Sequence, residues 1–289
     1  MSTLLSFGHG YSARALTPHL LRRGWHVIGT TRSPEKAEAL RSDGVEPLLF
    51  GAPAEHALER ASHVLVSAAP DADGDPVLQA YTAALEAALG RMAWVGYLST
   101  TGVYGDHGGG WVDEGTATIP TTRRGAWRVA AESDWRALAA RTGAPLHVFR
   151  LAGIYGPGRG PFRKLREGTA RRIVKPGQVF SRIHVDDIAR VLLASIDRPR
   201  SGAVYNVCDD EPAPPEDVIA HAARLLGMPL PPEVGFADAD LSPMARSFYA
   251  ESKRVRNDRI KGELGMRLAF PDYRAGLADI LAREGRTDS

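Results

Sequence analysis

Leu4-Leu5-Ser6-Phe7-Gly8-His9-Gly10-Tyr11-Ser12-Ala13 is the stretch that decides how the rest of the chain is read. A short apolar run ends at Phe7, a glycine turn follows, and a helix is expected from there to about Arg23. Gly8 permits a tight turn, and Gly10 lets the backbone approach a pyrophosphate. Ala13, in the place of a third glycine, still allows a helix to pack closely on a strand. The first turn of such a helix has free N–H groups and the positive end of the helix dipole, so it attracts phosphate. Gly-x-Gly-x-x-Ala alone is weak evidence, and an ordinary βα turn is the competing reading. Its place between a strand and a helix, at the start of a βαβ unit, argues for a dinucleotide site. Gly8, Gly10, Tyr11 and Ser12 are the cofactor contacts this reading names.

Further apolar runs follow at His26–Gly29, Val45–Phe50, Val64–Ala69, Trp94–Ser99 and Leu146–Leu151. Each is short and bounded by polar or turn residues, as strands buried on both faces are. Helical stripes lie between them: Val77, Tyr81, Leu85 and Leu89, then Ala131, Trp135 and Leu138. Alternation of this kind predicts an α/β fold, a doubly wound parallel sheet of the Rossmann type with a smaller C-terminal substrate lobe. After Ile154 the pattern breaks at Gly156, Pro157, Gly158, Gly160 and Pro161, and helix-like order returns over Ser181–Ile196. The expected division is residues 1–155 plus about 181–208 for the dinucleotide-binding domain. Residues from about 156 to 180 plus 209–289 would form the substrate lobe.

The second strand runs out through Gly29-Thr30-Thr31-Arg32-Ser33. An NAD site usually places Asp or Glu here for the ribose 2′-hydroxyl, and none is present. Arg32 and Ser33 offer a cation and a hydroxyl, which suit the 2′-phosphate of NADP better than they suit NAD. The plainer reading of Arg32 is a solvated surface arginine. Ala68 and Ala69, closing the fourth run, are further cofactor-side candidates.

Composition narrows the function classes. Of 289 residues, 44% are hydrophobic and 24% charged, which is ordinary for a soluble globular chain. A net charge of +2 is too small to argue for nucleic acid or a membrane as the main partner. A small-molecule substrate is expected instead, and the oligomeric state stays open. Cys208 is the only cysteine, so no internal disulfide can form, and it lies in the strand-like run Ala203–Cys208. No signal-like segment opens the sequence, and the expectation is a cytoplasmic protein. The nine histidines show no metal-ligand spacing, so no metal is expected.

Beyond the turn, four segments carry a resemblance. Leu98-Ser99-Thr100-Thr101-Gly102-Val103-Tyr104-Gly105 and Trp111-Val112-Asp113-Glu114 are two of them. Arg150-Leu151-Ala152-Gly153-Ile154-Tyr155-Gly156-Pro157-Gly158-Arg159 and Arg182-Ile183-His184-Val185-Asp186-Asp187-Ile188-Ala189 are the others. Together they resemble the extended short-chain dehydrogenase/reductases, the NAD-dependent epimerase/dehydratase family, over nearly the whole chain.

The resemblance implies a catalytic Ser or Thr, which Thr100 matches, and a Tyr-x-x-x-Lys pair about twenty-five residues on. Arg124 stands in the tyrosine place and Arg128 in the lysine place. The spacing survives without its chemistry, since arginine gives up no proton at neutral pH. Arg128 could still hold the nicotinamide ribose, and Arg124 could orient an anion. Two solvated arginines one turn apart is the alternative. Tyr104 and Tyr155 are candidate substitute acids, with packing the commoner role for such residues. Tyr104, Arg159 and His184 are the substrate-side candidates.

Asp186-Asp187 reads as helix capping rather than acid/base chemistry. Arg159, Arg163, Lys164, Arg166, Arg171, Arg172 and Lys175 form a basic run opposed locally by Glu167 alone; it is either an anion site or a solvated face. Two functions remain. One is an epimerase/dehydratase-like oxidoreductase acting on a small anionic or sugar-nucleotide substrate by a non-standard proton route. The other is a non-catalytic NADP(H)-binding sensor.

Overall fold

Strand β1 (Thr3–Phe7) is buried at every position and lies inside a seven-stranded sheet. The computed structural model describes residues 2–287. Six more strands complete the sheet: β2 (His26–Thr31), β3 (Glu46–Leu49), β4 (His63–Val66), β5 (Trp94–Thr100), β7 (Leu146–Leu151) and β11 (Val204–Val207). Their order is β11-β7-β5-β4-β1-β2-β3, and every pairing is parallel. The strand order therefore reverses beside β1. A crevice forms there, beyond the carboxyl ends of β1 and β4.

Helices cover both faces of the sheet. They are α1 (Tyr11–Arg22), α2 (Pro34–Ser42), α3 (Glu55–Arg60), α4 (Pro76–Ala88), α5 (Arg123–Thr142) and α7 (Val185–Asp197). One core joins Leu16 and Leu20 of α1 to Ile188, Val191 and Leu192 of α7 over Leu4, Leu98 and Phe149. The opposite core joins Val77, Tyr81 and Leu85 of α4 to Ala131, Trp135 and Leu138 of α5 over Leu5, Val64 and Tyr97. Both helical stripes named above thus face the sheet.

Caps fix where the helices begin. The Asp75 carboxylate accepts from Val77 N at 2.9 Å and Leu78 N at 3.2 Å, with Pro76 in the first turn of α4. The Thr122 hydroxyl accepts from Gly125 N at 3.2 Å at the start of α5, and Gly143 ends that helix in the left-handed region. A Cβ at Gly125 would lie 2.7 Å from Gly102 O, so glycine lets the first turn of α5 press against the exit of β5.

Smaller pieces make up the remainder. They are β6 (Trp111–Val112), β8 (Gly153–Tyr155), β9 (Arg172–Val174), β10 (Arg182–His184), β12 (Glu233–Gly235) and β13 (Arg254–Val255). With them come α6 (Phe162–Arg166), α8 (Pro215–Leu225), α9 (Pro243–Phe248), α10 (Asp258–Leu264) and α11 (Tyr273–Thr287). Phe162, Leu165, Ala222, Ala223, Tyr273, Leu277 and Ile280 form a separate apolar cluster. Ile260 and Leu264 of α10 instead join the core beneath α1 and α7. Cys208 is fully buried, its thiol bonded to Val255 O at 3.2 Å. Among the described residues, no helix is long and apolar enough to cross a membrane.

Candidate active site

The turn after β1 builds one wall of a cleft of about 360 Å³. Gly8 has φ +77°, and its N–H donates to Thr30 Oγ1 at 2.8 Å. A Cβ on Gly8 would stand 2.7 Å from Ala68 N, so only glycine passes here. Gly10 is the N-cap of α1, and no side chain caps that end. The N–H groups of Tyr11, Ser12 and Ala13 therefore have no partner within the helix. A Cβ on Gly10 would meet nothing nearer than Gly8 O at 3.7 Å, so the backbone there is open to the cleft. This uncapped, glycine-faced helix start fits a pyrophosphate. Ser67, at the end of β4, lines the same cleft and donates its hydroxyl to Gly8 O.

The other proposed cofactor residues follow the carboxyl ends of β2 and β4. Ser33 caps α2, accepting from Lys36 N at 3.3 Å. Arg32 is exposed, with its guanidinium 5.7 Å from the Phe50 ring centre and no carboxylate within 4.0 Å among the described residues. Ala68 packs its backbone on Gly8, whereas Ala69 is exposed and does not line the cleft.

Opposite stand Leu98, Ser99 and Thr100 of β5 and Arg128 of α5. Thr100 Oγ1 accepts from Gly102 N at 3.1 Å, which leaves its O–H free to donate. Arg128 Nη1 donates to Leu98 O at 2.6 Å and to the Tyr97 hydroxyl at 3.2 Å. Its guanidinium also lies 5.7 Å from the Tyr97 ring centre. Arg124, one turn earlier, is exposed and does not line the cleft.

The far wall is Leu151, Ala152, Ile154 and Arg159. Arg159 stacks 4.3 Å over the Tyr11 ring, and the Tyr11 hydroxyl donates to Pro157 O at 2.9 Å. Burial, opposed by Arg159, raises the Tyr11 phenol to about 12. No carboxylate or histidine lines the cleft, so its charge is that of Arg128 and Arg159.

Several sequence candidates belong elsewhere. Tyr104 is buried, donating to Asn206 Oδ1 at 2.7 Å and accepting from Arg150 at 3.0 Å. Tyr155 donates to Asp272 O at 3.2 Å. His184 is fully buried against Phe270, and its Nδ1 accepts from Asp186 N at 3.3 Å. The cap of α7 is therefore His184 rather than the aspartates. Asp186 pairs with Arg283, and Asp187 receives Ala269 N and Phe270 N, each at 2.9 Å. These carboxylates tie α7 to the C-terminal segment.

Of the basic run, only Arg159 faces the cleft. Arg166 pairs with Glu284 at 2.7 Å and Arg172 with Glu233 at 2.8 Å, acids that lie far along the chain.

Behind the cleft, Ser99 donates to Glu132 Oε1 at 2.6 Å, and Arg150 binds both Glu132 oxygens at 3.1 and 2.8 Å. Burial raises the Glu132 carboxyl, but the hydrogen bonds and charge of Arg150 outweigh it and leave the group below its ordinary value. Ser99 and Glu132 escaped the sequence reading, because a lone acid on a helix looks like surface until its arginine partner is placed.

Asp209, just past β11, is 1% exposed, and neither carboxyl oxygen has a partner. Burial, opposed by Arg182, raises it to about 8. Between its ordinary 3.8 and that value the folded chain holds a proton that the unfolded chain releases. Stability should therefore fall as pH rises through this window. Asp209→Asn is expected to flatten that slope, gaining about 1–3 kcal/mol near pH 9 and little near pH 5. Melting curves at both pH values check this; an equal change at each would contradict it.

Residues 7–208 match the NAD dependent epimerase/dehydratase family. The chain belongs to that family. Protein YeeZ of Escherichia coli (strain K12) is 30% identical over 288 residues, covering 94% of this chain and 97% of its own. The structure of a conserved protein from Silicibacter pomeroyi DSS is 61% identical, with TM-score 0.93 and 98% and 99% of the two chains covered. UDP-glucuronic acid 4-epimerase from Bacillus cereus, solved with NAD, shares the fold at 17% identity and TM-score 0.76, over 97% and 99% of the chains. This family member therefore has the nucleotide-binding, oxidoreductase-like frame of the epimerase/dehydratases.

Proposed function

We propose that this family member is an NADP(H)-dependent reductase for a small anionic substrate, and that its side chains position the reactants without carrying the reaction's proton. The observation behind this is a cleft holding two arginines, hydroxyl groups and no carboxylate or histidine. Gly8, Gly10 and the first turn of α1 would hold a nicotinamide cofactor, which would supply hydride to a substrate carbon. Arg128, fixed by Leu98 O, presents a permanent cation to oxygen charge developing on that carbon. Thr100 has its O–H left to donate to the same oxygen, and Arg159 faces the substrate's anionic group. Arginine keeps its protons at neutral pH, and the Tyr11 phenol at about 12 is no base. Water then supplies the proton that completes the reduction. Epimerisation and dehydration need a base to take a proton from substrate, and no such group lines the cleft.

Arg124 favours a second reading. The family's tyrosine place is filled by an exposed side chain outside the cleft, as a non-catalytic NADP(H) sensor would allow. Mixing the protein with NADPH and a panel of keto acids, aldehyde acids and sugar nucleotides decides between them. Sustained loss of nicotinamide absorbance with an anionic carbonyl compound is expected. Tight NADPH binding with no consumption across the panel would overturn the reductase in favour of the sensor.

A further inference from the structure

We propose that Tyr11 couples the two halves of the cleft: when the cofactor's phosphates bind the start of α1, Tyr11 sets Arg159 in place to receive the anionic group of the substrate. This coupling rests on the cleft being a cofactor and substrate site, and it adds how one half governs the other.

Tyr11 belongs to both halves. It is the first residue of α1, and the first N–H bonded within that helix is that of Arg14, which donates to Gly10 O at 2.8 Å. The Tyr11 N–H is therefore one of the donors left for a phosphate. Its side chain runs to the opposite wall. The hydroxyl donates to Pro157 O at 2.9 Å, and the Arg159 guanidinium lies 4.3 Å over the ring centre. Tyr11 and Arg159 both line the cleft.

The segment held by Tyr11 is a tight turn. Arg159 N donates to Gly156 O at 2.8 Å. Gly156 is pressed against the phenol, since a Cβ there would stand 2.5 Å from the Tyr11 oxygen. Arg159 is exposed, and among the described residues its side chain has no carboxylate within 4.0 Å and no hydrogen bond to protein. All five of its N–H donors are open to a ligand, and the Tyr11 ring beneath is what orients the guanidinium.

The uncapped helix end supplies the coupling. Gly10 caps α1 without a side chain, and the first turn holds no acid. Such an end frays, and a bound phosphate caps it. Ordering Tyr11 orders what Tyr11 holds, so phosphate at α1 and the set position of Arg159 favour each other. A cap at a helix start corresponds to about two- to thirty-fold in an equilibrium constant, and the coupling is expected within that range. Linkage makes it mutual: an anion on Arg159 tightens the cofactor by the same factor.

The test is hydrogen exchange across residues 156–159 with and without NADP+, paired with calorimetric titration of pyruvate into the same two states. The oxidised cofactor carries no hydride to pass, so pyruvate is not consumed. NADP+ should slow exchange of the Arg159 amide and tighten pyruvate, each by about two- to thirty-fold. Tyr11→Leu keeps the backbone N–H and should still bind NADP+, yet its turn exchange and pyruvate affinity should be the same with and without the cofactor. Tyr11→Phe retains the ring under Arg159 without the bond to Pro157 O and should keep part of the gain. A parent protein indifferent to NADP+ in both measurements overturns the coupling. Exchange slowed equally in the parent and Tyr11→Leu reports direct cover of the turn by the cofactor and also overturns it. Should Tyr11→Leu lose NADP+ altogether, Tyr11→Phe decides, and a full parent response there overturns the coupling. If pyruvate binds neither state while exchange behaves as expected, the coupling stands and the anion role of Arg159 falls. Failure of the parent to bind NADP+ overturns the cofactor reading and the coupling with it.

Discussion

Arg32→Ala is expected to erase a preference of about ten- to a hundred-fold for NADP(H) over NAD(H). Position sets this expectation. Arg32 follows the last residue of β2, at the carboxyl end of the sheet next to the Gly8 turn, and β2 ends without an acid. Its guanidinium rests against Phe50 and has no carboxylate partner within 4.0 Å among the described residues, so no internal ion pair must break before it meets a phosphate. Ser33 adds a hydroxyl, although part of it is already spent capping α2. Parallel titrations of parent and variant with NADPH and NADH check the effect. The Bacillus cereus epimerase structure holds NAD, and equal or tighter NADH binding by the parent would refute the assignment to NADP.

Much of this frame is visible in the sequence because it is local. Each central strand is buried on both faces and so is written as a short apolar run, as Val64–Val66 and Leu146–Leu151 show. The glycine turn is equally local: Gly8 takes φ +77°, and the residue type records that. What the sequence hides is set by partners far along the chain. Tyr11 meets Pro157 O, 146 residues away, and Asp187 meets Ala269 N, 82 residues away. The cap of α7 is hidden because aspartate is the commoner capping residue, whereas His184 is held in place by Phe270 and Tyr155. Arg124 and Arg128 share a spacing of one turn, and only packing separates them. Arg128 reaches the carbonyl of Leu98, and Arg124 lies in the exposed first turn of α5. A backbone carbonyl as the deciding partner leaves no mark in the residue pattern.

That separation makes the arginine pair the sharpest test of the mechanism. Arg128→Ala should lower kcat by about 10²–10³-fold, the usual loss when one fixed donor to a developing oxyanion is removed. Arg124→Ala should change turnover by no more than about two-fold, as expected for an exposed side chain with no ion pair. Arg128→Lys should recover part of the rate, because a point charge restores attraction but lacks the planar fork held by Leu98 O and Tyr97. The pH profile carries the rest of the argument. If side chains only position the reactants, the profile of Arg128→Ala keeps the parent's shape and drops in height. A limb of the profile that vanishes in Arg124→Ala alone would show that Arg124 governs a proton transfer, against its place outside the cleft. If neither variant alters any turnover and Arg128→Ala weakens only NADPH binding, the cleft binds nucleotide without chemistry and the sensor reading stands.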